Sequence, residues 1–346
     1  MERRRKRNRK RKLLILLIAL FFTTVMFATT TYAWFTANQT VKVSTLTVNV
    51  EAKDGIQISV DGTNWKSIIQ TGDITTAHNS YAGSTNQLPE ILEPVSTIGT
   101  VDQTGKMEMF YGQVVSNDNG DYILTATKDE ETRGTNGRFI TFDLFFKVNG
   151  ETPVFLSTAS GVRAEDDEHD TGIKNASRIA LINLGNSAPD SGDEVSDIQA
   201  MGQNMTASEA AAVDPIIWEP NYNVHTTQAI AHARDTYGET ITASMTTPVP
   251  YSGVKAAIAS TDGILLQVDS ATDYTTDHSA FFDTVSVDKL TKAGAGFDEN
   301  LALMTLSPGV TKVRVYMWVE GQDVDCENSA SGGEINYDLV ITTLSE

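Results

Sequence analysis

The chain has 346 residues, enough to bury a sizeable core in one large or two ordinary domains, and its net charge is −19. That charge is uneven: residues 1–12, MERRRKRNRKRK, hold nine Lys or Arg and one Glu, and the remaining 17 basic and 44 acidic residues give a body of −27. A body this acidic repels nucleic acid and anionic membrane surfaces, and a single cysteine, Cys326, excludes an intrachain disulfide.

The basic run leads into an apolar stretch, LLILLIALFF (residues 13–22), and then into a tail rich in Thr. This order of n-region and h-region predicts a secretory signal peptide over residues 1–33. Small residues at Thr31 and Ala33 place the cut between Ala33 and Trp34. The alternative is a retained anchor, because Leu13–Ala33 is about long enough to cross a bilayer at ~1.5 Å per residue. On the cleaved reading, the protein is exported by the Sec route to the cell surface or beyond, and only the leader touches the membrane.

After the junction, WFTANQTVKVSTLTVNVEA predicts a strand whose phase shifts near Ser44–Thr45. Val41 and Val43 point one way; Leu46, Val48 and Val50 point the other. GIQISVDGTNW carries Asp61-Gly62 between two β-prone runs, a hairpin cue, and NDNG (residues 117–120) separates two further strand candidates. In GRFITFDLFFKVNG (residues 137–150), Ile140, Phe142, Leu144, Phe146 and Val148 alternate with Thr141, Asp143 and Lys147. Phe139 and Phe145 on the second face predict that it too is covered.

The acidic stretch from about 160 to 260 reads as a loop-rich insertion with helical signals at 206–213 (Ser208 or Thr206 as N-cap) and 226–238, which ends at a Gly. Beyond it, TKVRVYMWVEG (residues 311–321) and INYDLVITTL (residues 335–344) flank a Gly-rich loop and predict a hairpin. Short strands with frequent turns indicate an all-β fold: a jelly-roll-like antiparallel β-sandwich over residues 34–346, with the insertion carrying one or two short helices.

No H-E-x-x-H, nucleophile elbow or phosphate-binding loop is present, so the motifs predict no enzyme. His225 and His232 are seven apart, too far along a straight helix to share one zinc, and are expected to be solvated or capping. Carboxylates are the residues in surplus. Glu320, Asp323, Asp325 and Glu327 near a strand end are the candidate calcium ligands, the cofactor expectation otherwise being none. The same charges raise the pKa of Cys326, which reads as a buried thiol. Trp65, Trp218 and Trp318 are expected in the core, with sugar stacking as the alternative.

The TYAWFT junction with ANQTVKVSTLTVNVEA resembles the TasA/camelysin-like exported proteins of Gram-positive bacteria. GIQISVDGTNWKSII and VRVYMWVEGQDVDCEN are similar to segments of related surface proteins. The resemblance covers the first 70 residues and the last 35 or so, leaving the middle unassigned. It implies processing by a SipW-type signal peptidase, a jelly-roll sandwich, and self-association into extracellular-matrix or biofilm fibres. The expected function is therefore a structural fibre subunit whose N-terminal segment, with Val41, Val43, Leu46, Val48 and Val50, complements a neighbour's sheet. The alternatives are a camelysin-like metallopeptidase and a carbohydrate-binding adhesin.

Overall fold

Residues 40–51, 55–77, 80–116, 122–262, 264–265, 278–288 and 302–343 are described by a computed structural model. The expected leader, residues 1–33, and the expected Ala33–Trp34 cleavage junction lie outside the described residues, among which no helix is long and apolar enough to cross a membrane.

Period-two apolar runs become strands. In the first half these are β1 (Val41–Glu51), β2 (Gln57–Ser59), β3 (Ile68–Gln70), β4 (Ile91–Leu92), β5 (Met109–Ser116), β6 (Tyr122–Asp129), β7 (Ile140–Val148), β8 (Thr152–Leu156) and β9 (Gly161–Ala164). The second half adds β10 (Ser177–Ser187), β11 (Ile216–Trp218), β12 (Tyr251–Val254), β13 (Ile264–Leu265), β14 (Phe282–Val285), β15 (Met304–Leu306), β16 (Gly309–Val319) and β17 (Glu334–Thr342). One sheet runs β15-β8-β17-β1-β3, with β9 beside β17 and β4 beside β1; the other runs β11-β10-β16-β7-β2. Within these sheets the strands pair antiparallel except β1 and β17, which run parallel. The β1 register shifts between Val43 and Thr45, where the sequence pattern changes face.

The two sheets share one buried cluster. Val48, Leu339 and Ile341 belong to it from the first sheet, and Phe142, Leu144, Phe146, Val313 and Val315 from the second. Each such side chain contributes about 1.5–3 kcal/mol by leaving water. The far face of the second sheet is buried as well: Ala180, Ile182, Tyr316 and Trp318 pack with Met107, Met109, Tyr251 and Val285. Phe139 and Phe145 are accordingly enclosed, as their place on the second face of β7 predicts. The result is an all-β sandwich with a further layer of loops and the β12–β14 ribbon over one sheet. β17, by contrast, alternates between buried and half-exposed positions along its first half.

Local signals fare well. Ile58 and Lys66 exchange both backbone hydrogen bonds at 2.8 Å around the Asp61-Gly62 turn. There Asp61 Oδ1 accepts from the amides of Thr63 and Asn64, each at 2.8 Å. β5 and β6 pair on either side of residues 117–121, which lie outside the described residues. Helices form at Ala207–Ala211, capped by Thr206, and at Thr227–His232, where a π-turn continues to Gly238 in the left-handed region at φ 70°. Two more short helices, Thr71–Ala77 and Val195–Ala200, carry no strong sequence signal.

Two expectations are corrected. β16 and β17 are not a hairpin: β16 lies between β10 and β7, whereas β17 lies in the opposite sheet. Both need apolar partners on the shared core, so the chain crosses between layers instead of turning back. The span 160–260 is likewise not wholly an insertion. β10 falls inside it and is a central strand, paired with β16 over its whole length. Its apolar run RIALINL is flanked by acidic loops that hide it from a reading based on composition.

Candidate functional site

The crossing from β16 to β17 passes through Glu320–Cys326, and every residue of it is buried. Its backbone is fixed to neighbouring segments: the Glu320 amide donates to the Ala176 carbonyl and the Gly321 amide to Val95, both at 2.9 Å. A buried carboxylate needs partners, and each carboxylate here takes a different one.

Glu320 Oε2 accepts from Trp318 Nε1 at 3.0 Å and Oε1 from the Gln322 amide at 3.1 Å. Asp323 pairs through Oδ2 with Arg178 Nη2, and its Oδ1 accepts from the Asp325 amide at 2.7 Å. Asp325 Oδ2 accepts from His225 Nδ1 at 2.7 Å. Glu327 turns outward and caps the Ser329 amide at 2.7 Å. The four predicted calcium ligands therefore diverge. Among the described residues no group of three or more His, Cys, Asp or Glu side chains is placed to hold a metal ion. His78 lies outside the described residues.

His225 and His232 are not solvated. They are 5% and 6% exposed and clasp the same crossing from one side. His232 Nδ1 donates to the Val324 carbonyl at 2.7 Å. With each Nδ1 committed as donor, the Nε2 of both rings is buried without a hydrogen bond.

Behind the crossing stands Arg178 of β10, fully buried, with Glu219 just beyond β11. Glu219 Oε2 lies 3.3 Å from Arg178 Nη2 but makes no hydrogen bond. Burial outweighs this attraction: desolvation, reinforced by Asp323 and Asp325, pushes the Glu219 carboxyl up to about 8. Burial likewise raises Glu320 to about 7, against hydrogen bonds from Ser96, Trp318 and Gln322. Asp325 rises to about 6 through burial, opposed by His225. Burial lowers the His225 imidazole, but the Asp325 hydrogen bond and charge overcome it and the net direction is upward. His232, buried against a carbonyl alone, is pushed down. Cys326 is buried beneath this group, its thiol raised by burial first and then by Asp323 and Glu320.

A cavity of about 380 Å³ opens beside this cluster, lined by Glu219, His225, Gln322, Asp323, Tyr237 and Tyr251 among others. Gln322 Oε1 accepts from Tyr237 Oη at 2.9 Å, which leaves its Nε2 buried without a hydrogen bond.

A second buried charge cluster, under the second sheet, is closed in contrast. Arg314 Nη1 donates to Asp143 Oδ1 at 2.6 Å, Nη2 to Glu131 Oε2 at 2.5 Å and Nε to Glu131 Oε1 at 3.2 Å. Tyr81 Oη donates to Asp143, and Lys312 Nζ lies 3.3 Å from the same carboxylate. Every nitrogen of the guanidinium is engaged, so this cluster has the form of a structural pin.

Sequence reasoning named Glu320, Asp323, Asp325, His225 and His232, and the structure brings these residues together, though in ion pairs and clasps. It missed Arg178, Glu219, Gln322 and Tyr251. The available signal was Arg178 inside the apolar run SRIALINL, because a charge at a core position requires a buried counter-charge. Trp218 and Trp318 are core residues as expected, while Trp65 is half-buried, with Lys147 Nζ 5.5 Å from its ring centroid.

The expected assembly strand is placed within its own chain. Val41 and Val48 are fully buried, Leu46 and Val50 nearly so, and Val43 partly. β1 is seamed to β17 from Lys42↔Glu334 to Glu51↔Thr342. No family model matches the chain, and neither the curated proteins nor the solved structures yield a match.

Proposed function

We propose that the protein is an exported structural subunit of the cell surface, TasA-like in its processing, that assembles through strand complementation by the residues just before β1. The observation that carries this reading is the free edge of β1. On the side away from β17, it is covered by three residues of β3 and two of β4, with the Val43 amide donating to Glu90 and the Val50 amide to Ser67, both at 2.9 Å. Between these covers Ser44 and Thr45 are a short open segment of edge, the Leu46 carbonyl already accepting from Thr71 Oγ1 at 3.0 Å, and unpaired edges are templates for another chain. Ile68 and Ile91, on the two covering strands, are 46% and 52% exposed and give this edge apolar surface.

The donated segment on this reading is residues 34–39, because Thr40 already accepts from the Gly332 amide at 2.9 Å and β1 itself is part of the core. The test is imaging of exported protein with and without residues 34–39 by negative-stain electron microscopy. Filaments are expected from the intact protein, and a folded monomer by circular dichroism from the truncated one. Filaments that persist without the segment refute the mechanism; an intact protein that never forms filaments refutes the function.

A further inference from the structure

We propose that the cavity beside Glu219, His225 and Gln322 binds a neutral polyhydroxylated small molecule of monosaccharide size. The proposal is independent of assembly, because the cavity lies away from the β1 edge and is lined by neither β3 nor β4.

Three buried polar atoms at this cavity lack a hydrogen bond: Gln322 Nε2, His225 Nε2 and Glu219 Oε2, which has only the 3.3 Å ion contact with Arg178. Glu219 is 3% exposed, Gln322 4% and His225 5%; all three line the cavity, and each has one side-chain atom without a hydrogen bond. A native interior satisfies such atoms because each costs about 1–3 kcal/mol when orphaned. Three around one cavity indicate that the missing partner is a ligand or ordered water.

The types of atom narrow its chemistry. Gln322 Nε2 can only donate. Glu219, protonated at neutral pH with its carboxyl near 8, both donates and accepts. His225 Nε2 accepts when the ring is neutral and donates when it is charged. An ammonium group only donates and leaves the Gln322 amide unmatched. An anion meets the carboxylates of Asp323 and Glu239, which also line the cavity. Hydroxyl groups both donate and accept and satisfy all three atoms. Tyr237 and Tyr251 add apolar surface to the lining. At about 380 Å³ the cavity is at the small end of ligand sites, which span ~300–1,000 Å³, and so fits a single ring and not an oligomer.

The experiment titrates the purified full chain, in mild detergent, with glucose, galactose and N-acetylglucosamine, and with spermidine as the cationic comparison. Calorimetry and saturation-transfer NMR read the binding. Saturable binding of at least one sugar is expected. Thr284→Trp, at the exposed rim, is expected to abolish it, and Glu219→Gln to weaken it about tenfold or more. Thr284→Trp touches none of the buried polar groups, so it remains decisive where Glu219→Gln does not fold. Failure of all three sugars to saturate, sugar binding untouched by Thr284→Trp, tighter binding of spermidine, or a sugar-soaked crystal showing only ordered water would each overturn the proposal.

Discussion

Arg314 and Asp143 face each other across the β16–β7 register and are joined by a 2.6 Å hydrogen bond in a fully buried setting. Directly opposed strand residues have the closest side chains in a sheet, so a charged pair there fixes the register as well as neutralising itself. The same guanidinium also holds Glu131, which makes one arginine the counter-charge for two carboxylates.

Replacing Arg314 by Met is expected to destabilise the fold by about 3 kcal/mol, since two buried carboxylates lose their guanidinium and keep only Lys312 and Lys106, at 3.3 and 3.5 Å, as counter-charges. Arg314→Lys keeps the charge but not the fork and should recover only part of that loss. Urea unfolding measures both. A loss for Arg314→Met within ~0.5 kcal/mol would show that the pair is a bystander.

Gly309 opens β16 at φ 108°, and a Cβ there would lie 2.0 Å from the Ser187 carbonyl oxygen. Gly309→Ala should therefore combine backbone strain with a clash against the opposing end of β10, costing at least about 1–3 kcal/mol. Gly134, also at positive φ but with nothing within 4 Å of a built Cβ, is the control: its Ala variant should show the conformational cost alone. Thermal denaturation separates the two.

The buried acids predict an inverted pH dependence. Glu320 titrates at about 7 in the fold against an ordinary 4.5, so between these values the folded chain holds a proton that the unfolded chain has released. Its stabilisation is complete below about 4.5 and is lost as pH rises through 7; Glu219 acts alike up to about 8. His225, raised by Asp325, adds in the same sense above its ordinary 6.5. Asp61 opposes: held at about 2 by hydrogen bonds from Asn64, Thr63 and Ser59 that overcome burial, it contributes above 3.8 and loses that contribution as pH falls toward 2. The thermal midpoint should therefore be higher near pH 5.5 than near pH 8.5, by roughly 5 °C. Glu320→Gln should flatten the slope and raise the midpoint at the alkaline end. A midpoint that rises steadily with pH would contradict this account.

Ile91→Lys, and more strongly Ile68→Lys with Ile91→Lys, should block strand addition at the β1 edge, because charged side chains on an edge resist pairing. Both positions are exposed, so monomer stability should change by less than ~0.5 kcal/mol. Sedimentation and electron microscopy of the double variant check this.

The all-β character was legible because β7 and β16 write their alternation in large apolar residues, and the Asp61-Gly62 turn and the Thr206 cap declare themselves within four residues. Pairing was not legible. β16 and β17 are neighbours in sequence, yet the core they share requires them on opposite layers, a constraint that appears only once β1, β7 and β10 are placed. The site was half legible. Glu320, Asp323 and Asp325 were visible as an acidic cluster, but their burial depends on an arginine 145 residues away from Asp323, and no local pattern signals a partner at that distance.

The parallel seam of β1 and β17 couples residues 292 apart, as in the Lys42–Glu334 contact. Closing so long a loop is slow, and among the described residues the first sheet has no other full-length neighbour for β1 to rest against meanwhile. While the ribosome is still adding the residues of β17, the growing polypeptide therefore lacks the strand that locks its beginning in place. A chain built this way leaves β1 without its parallel partner until β17 exists, and its first sheet closes only then.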